Sequence, residues 1–275
     1  MVGIPALGVA AAAALAWHDA RVDSISLILF AVFYVASMIG VEAGMHRYFS
    51  HRAFKCGSAL RIALGIIGSA AGQGPVLFWA STHRRHHRFS DTADDPHAPS
   101  EGSFAGLWHA HAGWLFGTQG ADPGRDAADL ARDAATMMVN RWYPAWVLLG
   151  LLLPAAIGWL AGGPHGALEG FLWGGLVRLF AVHHMTWSVN SLCHVIGTRP
   201  YQSHDRSHNL ALLALPTMGG AWHNNHHAFP TAATVAHRWW QIDPSGWFIQ
   251  LLAAMRLAWD VRPIPSRQSM EIRAR

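Results

Sequence analysis

Four apolar runs constrain this chain more than any other feature of its sequence. An α-helix needs roughly 20 residues to cross the hydrocarbon core of a bilayer, and the runs approach that length. They cover residues 3–17, 24–41, 143–161 and 167–189. Short polar turns separate the first run from the second and the third from the fourth. The sequence therefore predicts an all-α membrane protein with four transmembrane helices in two hairpins.

The composition agrees with lipid-facing helices, since 52% of the residues are apolar and 13% are charged. An ordinary soluble domain has about 25% charged residues. The net charge of +4 is spread along the chain and forms no dense basic block, so no nucleic-acid partner is expected. Cys56 and Cys193 belong to no Cys-x-x-Cys pair, which argues against a rubredoxin-type or zinc-ribbon site.

Basic residues indicate the orientation of the hairpins, because cytoplasmic flanks are rich in Arg and Lys. The hairpin turns hold only Arg21. The opposite ends are flanked by Arg47, Arg52, Lys55, Arg125, Arg132, Arg141, Arg199 and Arg206. Both termini are therefore predicted to be cytoplasmic, together with a cap formed by 42–142 and 190–275, and the whole chain, 1–275, is expected to be one domain. A signal peptide is the alternative for the first run, but the run lacks a basic n-region.

A fifth apolar stretch, 59–80, is interrupted by several glycines and by Pro75. A full span here would place the residues that follow on the wrong side of the membrane. An amphipathic or partly inserted helix is predicted instead.

Nineteen histidines are present, and the dense clusters lie just beyond span ends on the predicted cytoplasmic side. They are HRYFSH at 46–51, HRRHH at 83–87 and HNNHH at 223–227. Positions i, i+3 and i+4 share one helix face, so each HxxHH cluster is predicted to aim three imidazoles at one point. His46 and His51 diverge on a straight helix, so they can converge only if the helix ends or bends between them.

This arrangement predicts a metal centre, because imidazole binds iron, zinc, copper and nickel. Eight clustered imidazoles exceed what one metal can hold, so two metals are expected. The lack of thiolate clusters disfavours structural zinc. The lack of a Glu-x-x-His motif separates the site from carboxylate-bridged diiron bundles.

Together with their neighbours, these clusters resemble the integral-membrane fatty acyl desaturases of the acyl-CoA Δ9 type (stearoyl-CoA desaturase-like), in their short bacterial form. The resemblance covers about residues 24–260. It also rests on Asp95-Pro-His97, His111-Ala-Gly-Trp114, Asn190-Ser-Leu-Cys-His194 and Gly197-Thr-Arg-Pro-Tyr201. Histidine boxes alone are shared with alkane hydroxylases and with carotenoid and sterol oxygenases. The last two segments favour the acyl desaturases.

The resemblance implies two iron ions, with O2 as co-substrate, and a substrate tunnel. The implied iron ligands are His46, His51, His83, His86, His87, His194, His223, His226 and His227, with Asn190 acting through a water. The implied tunnel residues are Gln73, Trp79, Thr186 and Trp187 at its kink and Tyr34 and Met38 at its closed end. Met38 is expected to shorten or block the tunnel, because a small residue is usual there in the animal enzymes. Asp91, Asp94 and Asp95 could orient ligand imidazoles.

The implied function is O2-dependent desaturation of a long-chain fatty acyl substrate, introducing a cis double bond, expected at Δ9, in unsaturated fatty acid biosynthesis. Removing hydrogen from unactivated methylenes needs a metal-based oxidant, so no catalytic residue is expected beyond the metal site. Acyl-CoA is the first candidate substrate. However, Ser81 and Thr82 stand where the animal enzymes carry an Arg-Asp pair for coenzyme A, so acyl carrier protein or a lipid-bound chain stays open.

Electrons are expected from an external donor, a ferredoxin or a cytochrome b5-type protein with its reductase, because only fifteen residues follow Asp260. The Arg-rich and Ala-rich composition suggests a GC-rich bacterial genome and hence the bacterial inner membrane. A hydroxylase on the same scaffold is one alternative. A membrane metal transporter and a zinc hydrolase are the others, disfavoured by clusters beyond the span ends and by the absence of a carboxylate base beside the boxes.

Overall fold

The computed structural model describes residues 2–19, 22–98, 103–117, 121–264 and 266. Within these residues the chain is mostly helical, with one sheet of two short antiparallel strands, β1 (Lys55–Cys56) and β2 (Ala258–Trp259). The longest helices pack against one another as a bundle. The name cap is kept for the shorter helices of 42–142 and 190–275.

Two helices in the described residues are long and apolar enough to cross a membrane, Ser24–Ser50 and Tyr143–His194. The first consists of α2 (Ser24–Ile39) and a π-helix, Gly40–Ser50. Helix α1 (Gly3–His18) is apolar but shorter. The predicted first hairpin thus has a helix on each side of its turn, while its first member falls below the length of a full span.

The second long helix bends sharply where the sequence predicts the second hairpin turn. Gly162 and Gly163 are non-helical, and Gly163 adopts a φ of 60° that favours glycine. The segments are α9 (Tyr143–Glu169), the π-helix Gly170–Val177, α10 (Arg178–Ser191) and the 3-10 turn Leu192–His194. The helical segments before and after this bend run antiparallel, as the two apolar runs predicted. The four-span topology itself stays a prediction.

The stretch 59–80 forms two helices and not the single helix that was predicted. Helix α3 (Ser58–Ala70) ends at a turn in which Gly72 and Gly74 have positive φ, and α4 (Val76–Phe89) begins after Pro75. Proline fixes the backbone before the new helix and has no N–H to leave unpaired. The turn reverses the chain, so α4 carries the second histidine cluster back towards the cap.

Close backbone contact holds α3 against the first long helix. A Cβ atom at Gly40 would lie 2.7 Å from the backbone nitrogen of Gly68 and from the carbonyl carbon of Ile67. No side chain fits at that distance. The small residues therefore let the two helices approach closely, as at many helix interfaces in membranes.

The remaining cap helices are short. They are α5 (Phe104–His111), a 3-10 helix Gly113–Phe116, α6 (Pro123–Asp126), α7 (Ala128–Ala131), α8 (Ala134–Arg141), α11 (Ala211–Ala214), α12 (His223–Ala228) and α13 (Pro244–Ala254). A buried ion pair fastens this cap to the first long helix. The Arg47 guanidinium donates to both carboxylate oxygens of Asp243, at 2.7 and 3.0 Å. Asp243 also caps α13 by accepting from the Gly246 N–H, so one side chain anchors two elements.

Candidate metal centre

The first histidine cluster lies on the π-helix Gly40–Ser50. Its hydrogen bonds run from residue i+5 to residue i, so residues five apart lie nearly above one another. The His51 N–H donates to the His46 carbonyl at 3.1 Å, and the two rings are 5.0 Å apart. His46 and His51 thus converge through π-helical winding just before the helix ends, a geometry that a straight α-helix does not allow.

The other clusters come from three further elements. His83, His86 and His87 lie on α4, and the third cluster forms α12. His194 ends the 3-10 turn that follows α10. All nine histidines predicted as ligands therefore meet in the cap, beside the ends of the long helices.

The nine side chains form two groups, and the ligand atoms of each group lie within 4.8 Å of one another. The first group has five members, His46, His51, His83, His87 and His226. The second has four, His86, His194, His223 and His227. Two groups of this size agree with the expectation of two metals.

Each HxxHH cluster is divided between the two groups, which corrects the prediction that it aims at one point. In both clusters the i and i+4 residues share a group, as His83 and His87 do, while the i+3 residue joins the other. Positions i+3 and i+4 differ by about 100° around the helix, so their side chains point in different directions. Helices α4 and α12 therefore each contribute to both groups.

Four of the nine imidazoles are held by carboxylates. The Nδ1–H of His46 donates to Glu42 at 2.9 Å. Equivalent bonds join His86 to Asp95 at 2.9 Å, His194 to Asp91 at 3.0 Å and His227 to Asp205 at 2.6 Å. A carboxylate accepts only when Nδ1 carries the proton, so in the neutral ring Nε2 keeps its lone pair. The side of each ring that faces the centre is then able to bind a metal.

The Nε2 atoms of the histidine groups face one another at short distances. His51 and His83 approach to 2.7 Å, and the other close Nε2 pairs lie at 2.8 to 3.2 Å. In the His86–His227 pair both Nδ1 atoms donate to carboxylates, so in the neutral rings neither Nε2 offers a proton and the two lone pairs repel each other. A cation between them relieves the repulsion. The nine residues therefore fit two metal ions with imidazole ligands.

The pKa shifts of six of the nine imidazoles agree with this fit. Burial, followed by the charges of neighbouring imidazoles, holds the pKa well below its ordinary value in six of the nine: His51, His83, His87, His223, His226 and His227. Neutral imidazole is the form that binds metals. For His86, burial lowers the pKa, but the carboxylate of Asp95 and two further aspartates raise it above the ordinary value.

A cavity of about 360 Å³ reaches this centre. All four predicted kink residues line it, Gln73, Trp79, Thr186 and Trp187, as do His83 and Asn190. The kink residues are also linked, since Gln73 donates to the Thr186 hydroxyl at 2.8 Å and accepts from the Trp79 indole at 3.2 Å. The cavity wall is mostly apolar. An alkyl chain therefore has a path to the first histidine group.

The two predicted tail-end residues lie behind that wall and do not line the cavity. Met38 is fully buried in a cluster with Val41, Ala71, Val182 and Met218, against which Trp79 packs. Tyr34 packs on the same cluster and donates to the Pro216 carbonyl at 2.6 Å. Trp79 thus separates the cavity from Met38, whose side chain occupies the space beyond.

Several site residues were not predicted. Glu42 precedes His46 by four positions, and that spacing on a helix could have indicated the pair. Asp205 lies in a loop without a periodic pattern, so no local signal marks it. Of the three aspartates that the sequence offers for this role, Asp91 and Asp95 hold imidazoles, whereas Asp94 pairs with Arg85 at 3.6 Å.

Comparison with known proteins shows one family throughout. Residues 24–255 match the family model described as fatty acid desaturase. The chain is 42% identical over 277 residues to hex-5-enoyl-[acyl-carrier protein] acetylenase of Moorena producens, covering 98% of this chain and 86% of that protein. It is 35% identical over 240 residues to sn-1 stearoyl-lipid 9-desaturase of Anabaena variabilis, covering 86% and 84%. It is 38% identical over 239 residues to acyl-CoA desaturase 3 of Mus musculus, covering 84% and 65%.

Proposed function

This chain belongs to the fatty acid desaturase family, and from that premise we propose that it removes two hydrogens from adjacent carbons of a fatty acyl chain, with O2 as the oxidant. One observation carries the proposal. A cavity with a mostly apolar wall extends to His83 and Asn190, beside the two histidine groups. An alkyl chain and a redox metal centre would meet there. Enzymes of this family are oxidoreductases.

The two groups are proposed to hold one iron each. The five-histidine group would bind the first, and the four-histidine group would bind the second, with Asn190 contributing through a water. When bound, two irons supply the O2-derived oxidising power that no side chain has. Imidazole ligands suit iron, and a buried site keeps bulk water away from the reacting carbons.

The protein residues would position the imidazole ligands and the acyl chain and would shield them from water. Glu42, Asp91, Asp95 and Asp205 fix the Nδ1 proton of one imidazole each and so fix the direction of its Nε2 lone pair. The hydrogen-bonded set of Gln73, Thr186 and Trp79 is proposed to give the cavity a rigid bend. A rigid bend sets which carbons lie nearest the metals, so it would determine the position of the double bond.

The chain length that the enzyme accepts would follow from the end of the cavity. Met38, with Tyr34 beside it, is proposed to close the tunnel behind Trp79 and to limit how far the acyl tail enters. Δ9 desaturation is the prediction from the resemblance. The relatives carry 9-, 7- and 5-positions in their names, and their carriers are acyl carrier protein, coenzyme A and lipid. The acyl chain is proposed to be bound as a thioester to coenzyme A or to acyl carrier protein. A lipid-bound acyl chain is the alternative.

We also propose a membrane topology, an electron donor and a place in metabolism for this chain. The single-domain chain would cross a bacterial inner membrane four times, with both termini and the metal centre in the cytoplasm. An external one-electron donor, a ferredoxin or a cytochrome b5-type protein with its reductase, would reduce the irons. The product would enter unsaturated fatty acid biosynthesis.

The test is expression in a host that lacks the corresponding unsaturation, followed by fatty-acid profiling with double-bond mapping. The wild type is expected to give a new unsaturated product. His226→Ala is expected to lose it while inserting normally into the membrane, and His165→Ala, on the turn after Gly163, is the matched control and should keep it. Undiminished product from His226→Ala would overturn the proposal.

An acetylenase is a second candidate, supported by the 42% identity to a protein of that name over nearly the whole chain. The same centre would then act on an existing double bond. Detection of a triple bond by mass spectrometry in the same expression host, supplied with an alkenoic acid, would decide for it. A saturated precursor that yields only a double bond would decide against it.

A further inference from the structure

A second cluster of metal-binding side chains joins the two hairpins at their turns. Asp19 follows the end of α1, and His165 and Glu169 follow the bend in the second long helix. One ligand atom of each residue lies within 4.8 Å of those of the other two. The helix that begins at Ser24 carries the first histidine cluster at its other end, roughly 30 Å away at about 1.5 Å per residue. These three residues, the turn cluster, are thus separate from the nine histidines.

The distances within the turn cluster suit ligands of a shared ion better than hydrogen bonds. The Nε2 atom of His165 lies 3.7 Å from Oδ2 of Asp19 and 4.0 Å from Oδ2 of Asp23. Both distances are too long for a hydrogen bond. Two ligands of one zinc ion, each about 2.0–2.2 Å from the metal, lie about 3–3.5 Å apart. Asp19 and His165 are partly exposed, so small rotations of their side chains would close the difference.

Glu169 gives independent evidence for a cation. It is only 4% exposed and lies between the two apolar hairpins. Within the described residues, the one hydrogen bond to its carboxylate comes from the neutral hydroxyl of Ser26, on α2, and no Arg or Lys pairs with it. A carboxylate buried without a positive charge is costly. Ionisable residues within membrane spans are rare and mark functional sites. Glu169 therefore requires a cation, and the side that faces His165 and Asp19 is where one would bind.

The chemistry of the ligands selects the kind of cation. Calcium and magnesium prefer oxygen ligands alone, whereas His165 offers an imidazole nitrogen. Soft ions such as Cu(I) prefer thiolates and thioethers, and the turn cluster contains neither. Zinc binds imidazole and carboxylate together. The combination of one imidazole with carboxylates thus favours zinc.

We propose that Asp19, His165 and Glu169 bind one zinc ion, with Asp23 beside them as a further carboxylate. The ion would supply the positive charge next to Glu169 and would fasten the turn of the first hairpin to the start of the second arm of the other. Neither the acyl chain nor O2 takes part in this site. Its effect would be on the stability of the bundle and not on the reaction at the histidine groups.

The experiment adds zinc to the iron-loaded enzyme in lipid nanodiscs. Zinc and iron are counted together by elemental mass spectrometry after unbound metal is removed, so zinc that only replaces iron is recognised. Thermal unfolding is followed with and without zinc. The wild type is expected to hold one zinc in addition to its iron and to unfold at a higher temperature when zinc is bound.

The variants are Glu169→Gln, Asp19→Asn and His165→Gln, each of which removes one ligand. Zinc affinity is expected to fall at least about 10-fold in each, because losing a residue that only orients a ligand already costs about 10- to 100-fold. The matched controls are Asp94→Asn and His204→Gln, which are exposed and lie outside the turn cluster. They should bind zinc as the wild type does. Retained iron shows that each variant is folded.

X-ray absorption at the zinc edge identifies the ligands directly. The turn cluster predicts one imidazole and otherwise oxygen, while zinc in the histidine groups would show imidazole ligands throughout. The inference is overturned by zinc that enters only in exchange for iron, by a spectrum with several imidazoles, or by equal losses in the ligand variants and the controls. Zinc that binds without raising the unfolding temperature of the wild type would overturn the role in fastening the hairpins.

Discussion

The Nδ1–H of His227 donates to Oδ2 of Asp205 at 2.6 Å, and both side chains are buried. The hydroxyls of Ser203 and Ser207 donate to the other oxygen of the same carboxylate. Burial raises the pKa of Asp205, but these hydrogen bonds and the nearby imidazole lower it well below its usual range. Asp205 is thus a permanent anion that fixes the proton of His227 on Nδ1.

Replacing Asp205 with Asn should weaken the four-histidine group. The amide carries no charge, so the hydrogen bond to His227 loses its ionic part and the ring loses basicity. Metal affinity of this group is expected to fall by roughly 10- to 100-fold. Iron content after dialysis against a chelator measures the change. Asp94→Asn is the matched control, since Asp94 is exposed and holds no imidazole, and an equal loss in both variants would refute the role of Asp205.

Met38→Ala should open the space behind Trp79. Met38 is fully buried, and removing a buried Met side chain costs about 2–5 kcal/mol of stability when the cavity does not collapse. A longer acyl tail could fill that cavity, so the product profile should shift to longer chains. Leu64→Ala makes a comparable cavity in a different core cluster and should lower stability without this shift. An unchanged chain-length profile in Met38→Ala would contradict the assignment of the tunnel end.

Gly40→Ala should separate α3 from the first long helix. The added Cβ would meet backbone atoms of Ile67 and Gly68 at 2.7 Å, and backbone cannot move aside as a flexible side chain can. Overpacking of this kind costs about 1–3 kcal/mol. Thermal unfolding of the purified protein in detergent measures it. Gly57→Ala, where a Cβ would meet no atom within 4 Å, is the control, and equal unfolding temperatures for the two variants would contradict the close contact.

His237 should make the fold sensitive to acid. Burial lowers its pKa to about 4 from an ordinary 6.5, although Asp243 opposes the shift. The unfolded chain then binds a proton at higher pH than the folded chain does. The contribution of this group to stability is present above pH 6.5 and is lost as the pH falls towards 4. His237→Phe should therefore lose less thermal stability than the wild type between pH 7 and pH 5. His204→Phe, at an exposed position, should behave as the wild type, and identical acid losses in all three proteins would contradict the prediction.

The sequence was sufficient to bring out eight of the nine histidines, because their spacing and their position beside apolar runs mark them, whereas His194 was included only through the resemblance. It also placed the second hairpin turn, where Gly162 and Gly163 break the helix. Periodicity at 3.6 residues could not reveal the division of each HxxHH cluster, since that depends on where α4 and α12 lie relative to the two groups. It also could not reveal the π-helix that brings His51 above His46, because π-helical winding has no marked sequence signal.

Long-range contacts account for the remaining differences. Asp205 meets His227 across a loop, and Arg47 meets Asp243 almost two hundred residues later in the chain. Neither pair has a local pattern. The prediction of one helix over 59–80 gave too little weight to Gly72, Gly74 and Pro75, whose combination ends α3 and starts α4.

The mass of the product formed under ¹⁸O2 tests the central claim most directly. The purified, iron-loaded enzyme would be supplied with an acyl thioester of a chain length that it accepts, a ferredoxin with its reductase, and labelled O2. A desaturase is expected to yield an acyl chain that lacks two hydrogens and contains no ¹⁸O, with the label recovered in water. A product that gains ¹⁸O on carbon would show a hydroxylase and contradict the account.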